Sequence, residues 1–295
     1  MRTGQVTAWA RIRLAVAVAI LVVIVVRLGA EPFLDGLRHT DPLALLVALV
    51  VTAITTACCA RRWSVVAARL DVHVPFATAY RSCYRSQLLN ATLPGGVVGD
   101  VHRGYRHGRD TGELGRGFRS VAWDRASGQA VQVAMVAAVV PLLPESVRGW
   151  VLTVLGAVVL LGALLLSAAR REAVAALGRG WPEVLVLSAL AAAGHAVVFL
   201  VAARTAGVEL STPRLLALAL LVLLASALPV SIAGWGPREG AAAWAFGAAG
   251  LGAATGVEVA VVYGVMSLVA TLPGMLVRVP GPPAPSRTRR EAAHG

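Results

Sequence analysis

Long apolar stretches separated by short polar segments run along most of this chain. At 1.5 Å per residue, about 20 apolar residues cross roughly 30 Å of hydrocarbon. The pattern predicts six full membrane spans, over 14–26, 43–60, 118–143, 150–169, 184–203 and 257–277. The first begins after Arg2, Arg11 and Arg13 and shows no small-residue cleavage site, so it reads as a retained helix rather than a signal peptide. The second stops at Arg61-Arg62-Trp63, which reads as a basic and aromatic interface anchor. The third, 118–143, is polar at its start, with Arg119, Asp124, Arg125, Gln129 and Gln132.

Two other segments break in the middle. One is only moderately apolar over 76–92, turns at Leu93-Pro94-Gly95-Gly96 and continues into a basic stretch over 100–119. The other is apolar over 215–233, passes Pro229 and runs into Gly234-Trp235-Gly236-Pro237-Arg238-Glu239-Gly240. Proline and glycine interrupt a helix here, and unwound backbone at membrane depth is tolerated only within protein or beside a water-filled cavity. Both segments are therefore expected to be hairpins that enter the membrane and return.

Composition changes this picture in one respect. With 57% hydrophobic and 14% charged residues and a mean hydropathy of +0.73, the chain is no ordinary cytosolic enzyme, disordered protein or disulfide-stapled domain. All 27 basic residues are arginine, and the net charge is +12. In a membrane protein that excess points to cytoplasmic loops and anionic headgroups before nucleic acid, which is not expected as a partner. The arginines concentrate at the N-terminus, 61–69, 100–119, 170–179 and the tail. The positive-inside rule then places both termini in the cytoplasm, in an inner (plasma) membrane. Residues 1–279 form the membrane domain, and the Pro-rich basic tail 280–295 is expected to be disordered.

The two broken segments resemble each other. At a constant offset (223 − 88 = 135), Leu88, Leu89, Leu93, Pro94, Gly99 and Arg103 fall on Leu223, Leu224, Leu228, Pro229, Gly234 and Arg238. Three predicted spans lie between the copies, and an odd number inverts the second. Paired Pro/Gly-interrupted segments in inverted halves are the best sequence pointer to a transporter binding site. The other explanation is two unrelated proline kinks.

Three ordered motifs carry a family resemblance: Asn90…Leu93-Pro94-Gly95-Gly96…Gly99-Asp100…Arg103, then Asp124-Arg125…Gly128, then Ser231-Ile232-Ala233-Gly234-Trp235-Gly236…Arg238-Glu239-Gly240. Together they resemble the lysylphosphatidylglycerol synthase transmembrane region, also called the flippase-like domain, over roughly 10–280. In larger members this membrane region is similar to a translocator of aminoacylated phosphatidylglycerol, which implies lipid translocation here. In larger members a separate soluble domain makes the aminoacylated lipid. The chain ends at 295 without one, so synthase activity is not expected here.

Arg103 and Arg238 are the leading candidates for substrate binding, because arginine binds phosphate bidentately and stays charged when buried. The turns at Pro94, Gly95, Gly96 and Gly99, and at Pro229, Gly234 and Gly236, would offer free backbone N–H groups beside them. Asp124, Arg125 and Glu239 are ionised groups in apolar surroundings and need partners. Asp124 is a candidate partner of Arg103 or Arg238, and Glu239 of an arginine in the other repeat. Asn90 is placed to cap freed backbone. Each also has a structural reading: a snorkelling arginine, an interfacial ion pair, a helix-dipole carboxylate. Metal ligands, cofactors and a catalytic set are not expected.

The sequence thus predicts an all-α polytopic membrane protein with six spans and two broken hairpins. Its expected task is moving a phosphate-bearing lipid or lipid-linked precursor between leaflets, with that lipid as partner. One alternative is a non-catalytic subunit docking a membrane glycosyltransferase or lipid synthase. The other is an intramembrane lipid-modifying enzyme. The oligomeric state is left open.

Overall fold

Asp41 starts the helix on which the rest is built. Its carboxylate accepts a hydrogen bond from Ala44 N at 2.8 Å, and Pro42 supplies a fixed φ at the first helical position. Helix α2 (Pro42–Arg69) then runs for 28 residues, following the short α1 (Glu31–Arg38). The computed structural model describes residues 22, 26, 31–38, 40–228, 231 and 235–277. Most of the predicted first span, the 280–295 tail, Pro229 and Gly234 lie outside the described residues.

The chain continues through α3 (Phe76–Thr92), α4 (Val98–Thr111), α5 (Leu114–Val139), α6 (Glu145–Ala168) and the short α7 (Arg170–Leu177). It ends with α8 (Trp181–Thr205), α9 (Thr212–Ser226), α10 (Pro237–Ala248) and α11 (Ala253–Thr271). The protein is all-α. Among the described residues four helical stretches are long and apolar enough to cross a membrane: Pro42–Arg69, Glu145–Ala168, Arg170–Thr205 and Ala253–Met275. Helix α5 covers the predicted span 118–143 only as far as Val139, where a 3-10 turn over Val140–Leu142 takes over, and its charged first half keeps it out of that set.

Both predicted interruptions are present as helix–break–helix units. Helix α3 gives way at Leu93, and Gly95 and Gly96 take φ of +98° and +64°, a region that costs an L side chain energy. Helix α9 ends at Ser226 and α10 begins at Pro237.

Helix α2 is central, touching α3, α5, α7, α8 and α11. Lipid is as apolar as leucine, so close packing by small residues holds such helices together. The largest core cluster accordingly mixes Ala48, Ala202, Ala217, Ala242 and Ala260 with Phe199, Phe246 and Met266. Helix α6 stands apart: Val147, Val151 and Leu155 are buried against the core, while Leu152, Leu160, Leu161, Leu164 and Leu165 point outward.

One boundary differs from expectation. Helix α2 does not stop at Arg61-Arg62-Trp63 but continues to Arg69. Trp63 is 1% exposed and Arg62 6%, so neither is an interface anchor. Of the three, only Arg61 points outward, to Glu183 at 2.6 Å. Adjacent helical positions lie about 100° apart, which sends Arg61 and Arg62 to different environments.

Candidate functional site

Arg62 leads into the interior. Its Nε donates to Asp124 Oδ1 at 2.8 Å, and its Nη1 donates to Ser188 Oγ on α8 at 3.1 Å. Asp124, 1% exposed, accepts a second guanidinium through Oδ2, from Arg103 Nη2 at 3.0 Å. One carboxylate from α5 thus joins arginines of α2 and α4. A Cβ at Gly128, one turn along α5, would lie 2.6 Å from Arg62 Nη1, so the glycine leaves the room that guanidinium occupies.

The network extends through Asp100. Arg103 Nη2 also donates to Asp100 Oδ1 at 3.1 Å. Arg125 Nε donates to Asp100 Oδ2 at 2.8 Å, and Arg125 Nη2 donates to the same oxygen. Asn90, on α3, ties across the break to α4 twice: its Nδ2 donates to Asp100 Oδ2 at 2.9 Å, and its Oδ1 accepts from Gly99 N at 2.7 Å. Ser86 Oγ donates to Asp100 Oδ1 at 3.2 Å. Arg103 completes its surroundings with Cys83 Sγ at 3.1 Å and with the Trp63 ring, 4.5 Å from Cζ to centroid. Its Nε is buried without a partner. Three arginines face two carboxylates, leaving one excess positive charge. Arg62, Arg103, Asp100 and Asp124 are buried, and the half-exposed Arg125 is the edge at which the network opens.

The second broken segment builds a smaller unit. Gly236, at φ +118°, precedes Pro237, which begins α10. Glu239 reaches back to accept from Gly236 N at 2.6 Å, satisfying an orphan N–H at the helix start. Its other oxygen accepts from Arg238 Nε at 2.8 Å and faces Arg238 Nη2 at 2.6 Å. Arg238 Cζ lies 5.2 Å from the Trp235 ring and 5.5 Å from Tyr263. A Cβ at Gly264 would overlap Arg238 Nη2.

The two broken segments touch. Gly95 N donates to Ser231 O at 2.7 Å, and a Cβ on Gly96 would lie 2.6 Å from Ser231 Oγ. His195 on α8 meets the second unit through Tyr263: its Nδ1 is 3.4 Å from Tyr263 Oη, and that ring in turn faces Arg238.

A model of the lysylphosphatidylglycerol synthase TM region matches residues 11–274. The chain belongs to that family. No curated protein matches it. Membership makes it a multi-pass integral membrane protein linked to lipid handling.

The structure brings Asn90, Arg103, Asp124 and Arg125 of this family member into one network. Arg238 and Glu239 form a separate pair. Asp124 partners Arg103 and not Arg238, and Glu239 pairs with its own neighbour and not with an arginine of the other segment. Arg103 lies on helix α4.

Sequence reasoning missed Arg62 and the central place of Asp100. Arg62 is concealed by its resemblance to an interface anchor. A signal is present nonetheless: Thr52, Thr55, Thr56, Cys59 and Arg62 recur at helical spacing and mark a polar stripe along α2.

Proposed function

We propose that this protein translocates a phosphate-bearing lipid or lipid-linked precursor between the leaflets of the plasma membrane, with both termini cytoplasmic. The observation that supports this most is the cluster of Arg62, Arg103 and Arg125 against Asp100 and Asp124. Buried charge is costly unless matched, and one arginine here is matched only in part. A lipid phosphate would supply the missing negative charge and displace a carboxylate. Acyl chains would remain in the bilayer while the headgroup crosses beside the touching turns at Gly95 and Ser231. In this reading the charged groups bind and release, and no covalent bond is made, so the protein is a carrier and not an enzyme.

Reconstitution tests the reading. Purified protein is placed in liposomes with phosphatidylglycerol labelled by a fluorophore on an acyl chain, and dithionite quenches outer-leaflet label. Wild type is expected to expose inner-leaflet label, and Arg103→Gln is expected to lose this. A labelled diacyl glycolipid without phosphate should not be accelerated. Equal rates with Arg103→Gln and wild type would refute the role of the cluster. Labelling of Tyr105→Cys, in a background lacking the native cysteines, should succeed only from the cytoplasmic side.

A second reading is a subunit that docks a membrane glycosyltransferase or lipid synthase. It draws on the outward-facing α6. Under it, the buried charges matter for folding alone, and Arg103→Gln would leave lipid handling unchanged in cells.

A further inference from the structure

A second basic site lies at the end of α2, on the face that carries Arg61 rather than Arg62. A cleft of about 470 Å³ opens between the last turns of α2, the start of α3 and the turn Gly178–Gly180 that leads into α8. Arg61, Arg69, Arg179 and His73 line it. Arg61 is engaged by Glu183 at 2.6 Å. Arg69 and Arg179 have no carboxylate within ion-pair distance among the described residues. Three guanidiniums therefore face one carboxylate.

Two features show that the cleft is built and is more than a basic rim. Ser64, 8% exposed, lines it with a buried hydroxyl that has no hydrogen-bond partner. An unpaired buried hydroxyl is costly and asks for a ligand atom. Gly178, at φ +39°, lies directly against the Arg69 guanidinium, and any Cβ there would overlap Arg69 Nη2. The turn thus gives up a side chain to seat that guanidinium. Pro75 and the half-exposed Phe76 add an apolar lip to the same cleft.

We propose that this cleft binds a phosphate mono- or diester, with Arg69 and Arg179 clamping the anionic oxygens and Ser64 Oγ donating to a third. Guanidinium forks match phosphate geometry, and a hydroxyl can serve the remaining acceptor. The site is separate from the central cluster and does not depend on translocation. Its position where an apolar helix ends in arginines puts a lipid headgroup within reach, and a soluble phosphate shares the same chemistry.

The test uses the full chain in detergent, with native mass spectrometry after addition of short-chain phosphatidylglycerol. Wild type is expected to retain a lipid at this cleft in addition to one at the central cluster, and Arg69→Gln/Arg179→Gln to show at least tenfold less of the doubly bound species at equal concentration. Ser64→Ala, a milder change, should reduce retention severalfold without lowering the unfolding temperature. Arg170→Gln/Arg171→Gln, outside the cleft, should match wild type. If inorganic phosphate displaces the lipid at similar concentration, the phosphate chemistry holds and the source is soluble. If only lipid binds, the source is the membrane. Equal retention by wild type, the double variant and Ser64→Ala would overturn the proposal.

Discussion

The two broken segments share a sequence register and differ in how their arginines are neutralised. Arg103 is held by Asp100, three positions back on its own helix, and by Asp124 from a different helix. Arg238 is held by Glu239, the next residue, between Trp235 and Tyr263. The first arrangement exists only when α2, α3, α4 and α5 are packed. The second is nearly complete within one helix start. A repeated motif therefore fixes where an arginine sits relative to a break, while the packed helices decide what it faces.

The largest expected effect comes from Asp124→Asn. It takes a charge away from two buried arginines at once, and breaking a buried pair in this way costs about 3–5 kcal/mol. Thermal unfolding in detergent should show a larger loss for Asp124→Asn than for Glu239→Gln, which takes the carboxylate from one arginine while its amide oxygen can still accept from the Gly236 N–H. Equal losses would erase the distinction between a network and a local pair.

Transport gives the next contrast. Arg238→Ala should abolish translocation in the dithionite assay without abolishing expression, and Arg238→Lys should restore only part of it. An ammonium cannot reproduce the two-donor fork of a guanidinium. Full rescue by lysine would reduce the residue to a point charge, and a silent alanine variant would remove the second segment from the site.

Smaller effects follow from the glycines that make room for each arginine. Gly128→Ala crowds Arg62, and Gly264→Ala crowds Arg238. Overpacking of this kind costs about 1–3 kcal/mol. Gly128→Ala should additionally weaken coupling between α2 and α5, seen as faster hydrogen exchange in both helices. Gly264→Ala should act only around α10 and α11.

The smallest effect is expected at Arg61. Its pair with Glu183 is exposed, and such pairs are worth about 0–1 kcal/mol. Arg61→Ala should leave the unfolding temperature nearly unchanged, whereas Arg62→Ala should lower it clearly. Identical behaviour would mean that the inward and outward positions are energetically equivalent.

Much of the site is legible in the order of residues alone. Asn90 and Arg103 stand out beside a Pro/Gly break, and Asp124 and Arg125 stand out as ionised groups in a predicted span, because such groups in apolar surroundings demand partners. Arg62 does not stand out, because Arg-Arg-Trp at the end of an apolar run reads the same whether the helix stops or continues. Asp100 is visible as part of a motif, but its role as acceptor for Arg103, Arg125 and Asn90 depends on three helices converging.

The sequence by itself determined the all-α membrane class, the two Pro/Gly interruptions and the family. Hydropathy runs, proline and glycine act over a few residues and need no distant partner to be read. Only the tertiary structure decided that Asp124 bridges Arg62 and Arg103, that Glu239 stays with Arg238, and that Gly95 meets Ser231. Those choices depend on which helix faces come together, and a charge of one sign attracts any charge of the other until packing selects one.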